Sequence, residues 1–228
     1  MKRDPKDWPL AVVFDLDGTL IDSAADLADA LNYALGLRNL SPFPISQVKE
    51  MIGGGIPKLV DRALRAHGVS DVELLPLAAD FVKYYRENLT ARTTLYEGAA
   101  ELLAALKGEG RRIGLCTNKQ HELTIETIKQ LGIANYFSAV AGEREGRPRK
   151  PDAAPLLGVL QALGAPPENA VMVGDSGADV ECAKAAGVVP VVVSFGYSRV
   201  WAEDLGAAAV IARLSDLPRC LEGLRPLK

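Results

Sequence analysis

The sequence predicts a doubly wound α/β fold with a parallel sheet and an inserted helical domain. A short apolar segment at residues 11–14 runs directly into carboxylates. From about residue 98 onward, apolar runs alternate with segments of helical periodicity, which is typical of a parallel sheet covered by helices. About 75 residues separate the first strand from the next such unit, more than a crossover connection needs. We therefore predict an insertion between them.

The segment at residues 11–14 is the first predicted strand. It is too short for an amphipathic helix, and its continuous apolar character is typical of a strand buried on both faces. Asp15, Asp17 and Gly18 follow it, at the sheet edge where ligands bind in open α/β folds, and a glycine there lets backbone N–H groups approach an anion. A calcium loop of the EF-hand type does not fit, because Leu20 and Asp26 stand where it needs glycine and glutamate.

The rest of the sheet is predicted from residue 98 onward. The further strands span residues 112–117, 138–141, 170–174, 188–193 and, more weakly, 209–211. The helices between them span residues 99–106, 122–131, 154–163 and 178–186. Glycines stand where C-terminal helix caps are expected, at Gly110, Gly132, Gly164 and Gly187.

The inserted segment is predicted to be helical. Helical patterns occur at residues 24–37, 46–51, 57–67 and 72–89, without a convincing strand. We therefore predict a core domain from residues 1–21 and 95–228 and a helical domain from residues 22–94. A domain that begins directly after a reactive sheet edge suits a lid that excludes water.

Composition excludes several classes of function. A net charge of −3 and 6% aromatic residues argue against a nucleic-acid partner. No apolar run approaches the roughly 18 residues of a membrane span, and residues 1–8 lack an apolar signal segment. The widely spaced Cys116, Cys182 and Cys220 fit a reducing compartment. We expect a cytoplasmic protein, a monomer or homodimer, with no membrane partner.

Polar groups recur at the ends of the predicted strands. The second strand ends in Thr117 and Asn118, Lys150 precedes the helix at residues 154–163, and Asp175 and Asp179 follow the strand at residues 170–174. Each is common singly, but in this order they indicate one site. Four acids, at positions 15, 17, 175 and 179, face one cation at position 150, which predicts a divalent metal ion. Oxygen ligands without histidine or thiolate favour Mg²⁺.

These motifs resemble those of the haloacid dehalogenase superfamily, especially its phosphoglycolate phosphatase-like members with a helical cap. They read D-L-D-G-T-L-I-D-S at residues 15–23, T-N-K at 117–119, K-P-D at 150–152 and G-D-S-G-A-D at 174–179. The resemblance covers nearly the whole chain from residue 10 onward. It implies a Rossmann-like core with an all-helical cap, and Mg²⁺-dependent hydrolysis of phosphate monoesters.

The resemblance also implies roles for individual residues. Asp15 would attack phosphorus and form an aspartyl-phosphate, and Asp17 would protonate the leaving oxygen and later activate water. Thr117 and the backbone of Asn118 would hold the phosphoryl oxygens, while Lys150 offsets their charge. The implied Mg²⁺ ligands are the Asp15 carboxylate, the Asp17 carbonyl and Asp175, with Asp179 in a supporting role.

The inserted segment contains one candidate substrate-binding motif. Gly53, Gly54 and Gly55 precede Pro57, so free backbone N–H groups and a helix N-terminus meet there, as in sites for small anions. The alternative is a flexible turn between helices. Lys119, just beyond Thr117, would add a cation for a substrate carboxylate, although an exposed lysine is more often merely solvated.

The leading functional hypothesis is hydrolysis of 2-phosphoglycolate to glycolate and phosphate. The same chemistry on a sugar phosphate, a nucleotide or pyrophosphate is an alternative, as is a phosphomutase. A catalytically silent binding protein with this fold is a further alternative, although every expected reactive side chain is present.

Overall fold

The computed structural model describes residues 8–69 and 74–224. One unit is formed by the chain up to Ile21 together with the chain from Leu95 onward, and the other is Asp22–Thr94. We call the first the sheet unit and the second the helical unit. The polar N-terminal segment before residue 8, and residues 72–73 of the last helical pattern, lie outside the described residues.

The sheet unit is built on a six-stranded parallel sheet. In chain order the strands are β1 (Ala11–Phe14), β2 (Ile21–Asp22), β3 (Thr94–Leu95), β4 (Arg112–Gln120), β5 (Ala139–Glu143), β6 (Ala170–Gly174), β7 (Val189–Val193) and β8 (Ala209–Ile211). The spatial order of the large sheet is β5-β4-β1-β6-β7-β8, and β2 pairs with β3 in a separate two-stranded sheet. The doubly wound α/β prediction is therefore confirmed, and β2 and β3 are additions to it.

The strand order places β1 at a topological switch point. The chain winds outward from β1 through β4 to β5 and then returns to β6 on the other side of β1. Phe14, the last residue of β1, is aligned with Leu115 of β4 and Val173 of β6. Residues that follow these three positions therefore meet at one edge of the sheet, which is where such folds bind ligands.

Helices cover both faces of this sheet, which explains why β1 is apolar at every position. Val12 and Phe14 belong to one buried cluster with Leu103, while Val13 belongs to another with Leu156. The helices are α1 (Ala24–Gly36), α2 (Ile45–Met51), α3 (Ile56–Ala66), α4 (Leu74–Glu87), α5 (Ala99–Gly108), α6 (His121–Gln130), α7 (Ala154–Leu163), α8 (Gly177–Ala185) and α9 (Leu217–Gly223). Gly164 ends α7 in the left-handed conformation, with φ 62°.

The helical unit consists of α1 to α4, with α4 packed against α1 and α3. Leu31 of α1 and Phe81 of α4 are fully buried within it. The buried carboxylate of Asp26 accepts hydrogen bonds from the backbone N–H groups of Arg92 and Thr93 and from the Thr93 hydroxyl. Among the helices of the described residues, none has the length and apolarity needed to span a membrane.

Candidate active site

Asp15 stands at the carboxyl end of the central strand. Its backbone N–H donates to the carbonyl of Val173 in β6 at 2.8 Å, so the hydrogen-bond ladder between β1 and β6 continues one residue beyond the end of β1. The residue is 7% exposed, and its Oδ1 lies 2.8 Å from Nζ of Lys150. The sheet thus holds one nearly buried carboxylate at its centre, beside a cation.

The turn after β1 brings the backbone of Gly18 against a second carboxylate. The N–H groups of Thr19, Leu20 and Ile21 all bond to the carbonyl of Leu16, which closes the chain into a tight turn. Gly18 has φ +85°, and a Cβ atom there would lie 2.3 Å from Oδ2 of Asp175. Only glycine fits this position without displacing Asp175.

Lys150 is the central cation of the site. Its ammonium donates to the carbonyl of Cys116 at 2.8 Å and to Oδ1 of Asp179 at 2.5 Å, in addition to its contact with Asp15. The amide of Asn118 donates to the Lys150 carbonyl at 3.0 Å and so holds the backbone of that loop. Burial lowers the pKa of Lys150, but the charges of Asp15 and Asp179 outweigh it and leave the pKa raised.

Asp175 follows β6 and is fixed by the loop after β7. The backbone N–H of Tyr197 donates to Oδ2 of Asp175 at 2.6 Å. A Cβ atom on Gly196 would lie 2.2 Å from Cβ of Asp175, so this glycine permits the close approach. Sequence reasoning missed both residues, although their position just after the predicted strand at residues 188–193 was a usable signal.

Asp179 has a structural partner for each of its oxygens. Its Oδ2 accepts from the backbone N–H of Ser176 at 3.0 Å and from the Ser176 hydroxyl at 2.6 Å, in a capping box that begins α8. Its Oδ1 accepts from Lys150. This side chain therefore connects the start of α8 to the central lysine, an arrangement that suits a supporting role.

Asp17 is paired with a second lysine. The ammonium of Lys119 lies 3.1 Å from Oδ1 and 3.4 Å from Oδ2 of Asp17. The Lys119 side chain is only 4% exposed. The solvated-lysine interpretation is therefore wrong, because a side chain at this position points into the protein. The sequence analysis counted four acids and one cation at the site. With Lys119 included, the site contains four acids and two cations.

Thr117 and Asn118 lie in β4 just after Cys116, where the regular register with β5 is interrupted. Thr117 is 6% exposed, and its hydroxyl oxygen accepts from the backbone N–H of Lys119 at 3.3 Å. Within the described residues, Oδ1 of Asn118 and Oγ1 of Thr19 are buried without a hydrogen-bond partner. Both are polar oxygens at the edge that carries the carboxylates.

The carboxylates crowd together, and their pKa values reflect it. Asp15, Asp175 and Asp179 each offer an oxygen within 4.8 Å of the others, and all three residues are buried. Burial, partly offset by Lys150, raises the pKa of Asp15 from 3.8 to about 6. Burial and the charges of Asp179 and Asp15 raise the pKa of Asp175 well above its usual range. Such a cluster favours binding of a cation.

The donor set fits Mg²⁺ better than a softer metal ion. It consists of carboxylate oxygens, and the described residues bring no histidine or thiolate into the cluster. The side chain of Asp17 is not part of the cluster, so any contribution from this residue would come from its backbone carbonyl.

The three glycines of the candidate anion motif lie in the helical unit. Gly53, Gly54 and Gly55 have φ values of 111°, 82° and 85°, and Gly55 is the N-cap residue of α3. The guanidinium of Arg62 donates to the carbonyl of Gly53 at 2.7 Å. The turn is therefore held by a side chain of the helix that it precedes, which argues against a freely flexible connection.

Comparison with known proteins identifies the family. Residues 12–193 match the model of the haloacid dehalogenase-like hydrolases. A phosphoglycolate phosphatase of Rhodospirillum rubrum is 42% identical over 215 residues, which cover 92% of this chain and 89% of the relative. A phosphoglycolate phosphatase of Neisseria meningitidis is 40% identical over 223 residues, covering 96% and 94%.

A solved structure with the same fold supports the same family. The crystal structure of a predicted phosphoglycolate phosphatase from Haemophilus somnus has a TM-score of 0.86 and 29% identity, covering 92% of this chain and 97% of that chain. The chain belongs to the haloacid dehalogenase-like hydrolases. The resemblance inferred from its four motifs is thereby confirmed.

Proposed function

We propose that this protein hydrolyses 2-phosphoglycolate to glycolate and phosphate through an aspartyl-phosphate on Asp15. The observation that carries the proposal is the position of this carboxylate, buried at the end of the central strand and 2.8 Å from the ammonium of Lys150. The substrate follows from the names of the relatives in Rhodospirillum rubrum and Neisseria meningitidis.

In the first step, an oxygen of Asp15 forms a bond to phosphorus as the bond to the ester oxygen breaks. Burial raises the pKa of Asp15 to about 6, so the carboxylate is mostly ionised at neutral pH and available as a nucleophile. Lys150 stabilises the negative charge shared by the nucleophile and the phosphoryl group. The electron pair of the broken bond goes to glycolate, whose oxygen takes a proton from Asp17.

In the second step, Asp17 takes a proton from water, and the resulting hydroxide attacks phosphorus. The bond to Asp15 breaks, phosphate leaves, and the carboxylate is restored. The Thr117 hydroxyl and the backbone N–H of Asn118 would bind the phosphoryl oxygens in both steps. The backbone N–H of Gly18 donates to the carbonyl of Ile21 at 2.9 Å, so Gly18 would contribute close packing of the turn rather than a hydrogen bond to phosphate.

Mg²⁺ would be held by Asp15 and Asp175, with the Asp17 carbonyl as a further oxygen ligand and Asp179 in support. The mutual proximity of three buried carboxylates supports this assignment. The ion supplies Lewis-acid stabilisation of phosphoryl charge when it is bound. Removal of the ion by a chelator is expected to stop turnover.

We assign Gly53, Gly54 and Gly55 to binding of the substrate carboxylate through their backbone N–H groups. Their positive φ values and their place before α3 support this assignment. Replacement of Gly54 by alanine should raise KM for 2-phosphoglycolate more than it lowers kcat.

We also propose a cytoplasmic location. The thiols of Cys116, Cys182 and Cys220 are all free, as expected in a reducing compartment. A monomer or homodimer without a nucleic-acid or membrane partner remains the prediction from composition, and light scattering of the purified protein measures the oligomeric state.

Phosphate release from a panel of esters tests the proposal. The panel should contain 2-phosphoglycolate, sugar phosphates, nucleotides and pyrophosphate, each with Mg²⁺ and with a chelator. The proposal expects 2-phosphoglycolate to give the highest kcat/KM. Faster turnover of another ester would identify that ester as the substrate in place of 2-phosphoglycolate. If the protein and its Asp15→Asn variant were equally inactive on every ester, a catalytically silent binding protein would be favoured.

A further inference from the structure

The ion pair between Lys119 and Asp17 is a second charge pair beside the one that Lys150 makes with Asp15. Its two contacts measure 3.1 and 3.4 Å, and the lysine side chain is 4% exposed against 16% for the aspartate. The backbone of Lys119 is fixed as well, because its N–H donates to the Thr117 hydroxyl and its carbonyl accepts from the Thr124 hydroxyl. The Lys119 side chain therefore extends from a backbone that is held by both β4 and α6.

We propose that Lys119 is a specificity residue that exchanges partners, leaving Asp17 for the carboxylate of the bound ester. This inference rests on the proposed function and deepens it, because it names the part of the substrate that is recognised. In this proposal, Asp17 is released to act on the ester oxygen by the carboxylate on the alcohol portion of the substrate, and not by the phosphate.

The distances suit a carboxylate attached close to that oxygen. An Asp17 carboxyl that serves the ester oxygen lies about 3 Å from it. Since Lys119 Nζ is 3.1 Å from the same carboxyl, the ester oxygen lies within about 6 Å of the ammonium. A carboxylate one carbon away from the ester oxygen spans such a gap. The ester of a neutral alcohol of the same size places no negative charge near the ammonium.

Burial makes the exchange selective. An ammonium with so little contact to water is costly unless an anion faces it. A small turn of the Asp17 carboxyl toward the ester oxygen lengthens its 3.1 Å contact with Lys119 while the ammonium stays about 6 Å from that oxygen, and an acidic substrate replaces the weakened contact. A neutral ester offers no replacement, so Asp17 remains engaged with the lysine. The pair therefore penalises neutral esters and favours short phosphorylated acids.

A purely structural pair predicts something different. If Lys119 only fixes Asp17, then removal of the ammonium should slow every ester by a similar factor. If Lys119 exchanges partners, the loss should fall on acidic esters alone. The ratio of two kcat/KM values for one variant separates these cases.

The experiment compares 2-phosphoglycolate with 2-hydroxyethyl phosphate, in which a hydroxymethyl group replaces the carboxylate. Both kcat and KM are measured for the wild type, Lys119→Met and Lys119→Arg. Lys129→Met is the control, since that lysine is 74% exposed and pairs with Glu126 of its own helix. Thermal unfolding of each variant checks that it is folded.

We expect Lys119→Met to lower kcat/KM for 2-phosphoglycolate by roughly 10²-fold or more, and to leave or raise that for 2-hydroxyethyl phosphate. Arginine should restore part of the preference, and the control should change neither value. An equal fall for both esters in Lys119→Met would overturn the exchange while the proposed substrate stands. A wild type that prefers 2-hydroxyethyl phosphate would overturn the proposed substrate and the exchange with it.

Discussion

The ammonium of Lys150 lies 2.8 Å from Oδ1 of Asp15, where the ends of two different segments meet at the sheet edge. The lysine reaches this position from the loop before α7, while the aspartate follows β1. The Lys150 ammonium also contacts Asp179 and the carbonyl of Cys116, so this one cation connects three parts of the sheet unit. The stability of the unit and its chemistry therefore depend on the same charge.

Replacement of Lys150 by methionine should destabilise the protein strongly. The change leaves the carboxylates of Asp15 and Asp179 buried without their shared cation, and breaking a buried pair in this way costs about 3–5 kcal/mol. Denaturant unfolding in the presence of a chelator measures the loss. Lys129→Met, on the surface of α6, should differ from the wild type by less than about 0.5 kcal/mol. Equal stability of the two variants would contradict the account.

Asp175 should make stability depend on pH in a defined direction. Burial and the charges of Asp179 and Asp15 raise its pKa, so between its usual value and the raised one the folded state holds a proton that the unfolded state releases. The contribution of Asp175 to the free energy of unfolding therefore falls as pH rises through that window. Asp175→Asn removes the contribution, so its stability relative to the wild type should increase as pH rises above the usual carboxyl value of 3.8.

Chemical unfolding at several pH values, with a chelator present, tests this prediction. Asp204→Asn is the control, because that aspartate is exposed. A difference between Asp175→Asn and wild type that is flat with pH, or that decreases as pH rises, would be inconsistent with the raised pKa. Mg²⁺ should raise the melting temperature of the wild type and have a smaller effect on Asp175→Asn.

Gly196→Ala should damage the site through a steric contact. A Cβ atom there would lie 2.2 Å from Cβ and 2.5 Å from Oδ2 of Asp175, so the aspartate has to move. We expect kcat to fall at least about tenfold and stability to fall by about 1–3 kcal/mol. Gly158→Ala in α7 is the matched control, since nothing lies within 4 Å of its Cβ position and alanine favours a helix. Unchanged kcat in Gly196→Ala would show that Asp175 does not need its present position.

The helical unit should depend on Asp26. This buried carboxylate accepts hydrogen bonds from the backbone of Arg92 and Thr93, near the end of the unit, while Asp26 itself lies near its beginning. Asp26→Ala leaves the buried Thr93 groups without this acceptor and should cost about 2–4 kcal/mol in the free energy of unfolding. Asp29→Ala, which removes a half-exposed ion pair with Arg92, should cost less than about 1 kcal/mol. Similar losses in both variants would refute the role of Asp26.

The strands and the positions of the reactive residues follow from local patterns. The segment from Ala11 to Phe14 is apolar at every position because both of its faces are covered, and that pattern is readable in the sequence. The polar groups at Asp15, Thr117 and Asp175 then share an edge, because parallel strands end on the same side of a sheet. No long-range information is needed for these predictions.

The partners of the side chains do not follow from local patterns. Lys119 and Asp17 lie 102 residues apart in the chain, and their pairing depends on side-chain conformations that no spacing encodes. The support of Asp175 comes from the backbone N–H of Tyr197, a group that every residue except proline carries. The pairing of Lys119 with Asp17 and the contact of the loop after β7 with Asp175 therefore emerged only from the three-dimensional structure.

Trapping the phosphoryl group on the enzyme tests the central claim most directly. Asp17→Asn should still transfer phosphate from 4-nitrophenyl phosphate to Asp15, because nitrophenolate leaves without a proton, but it should hydrolyse the adduct slowly. Acid quenching followed by peptide mass spectrometry should find one added PO₃ group on Asp15 in this variant and less in the wild type during turnover. Nitrophenol release by both proteins without phosphate on Asp15, or with phosphate on another residue, would contradict the account.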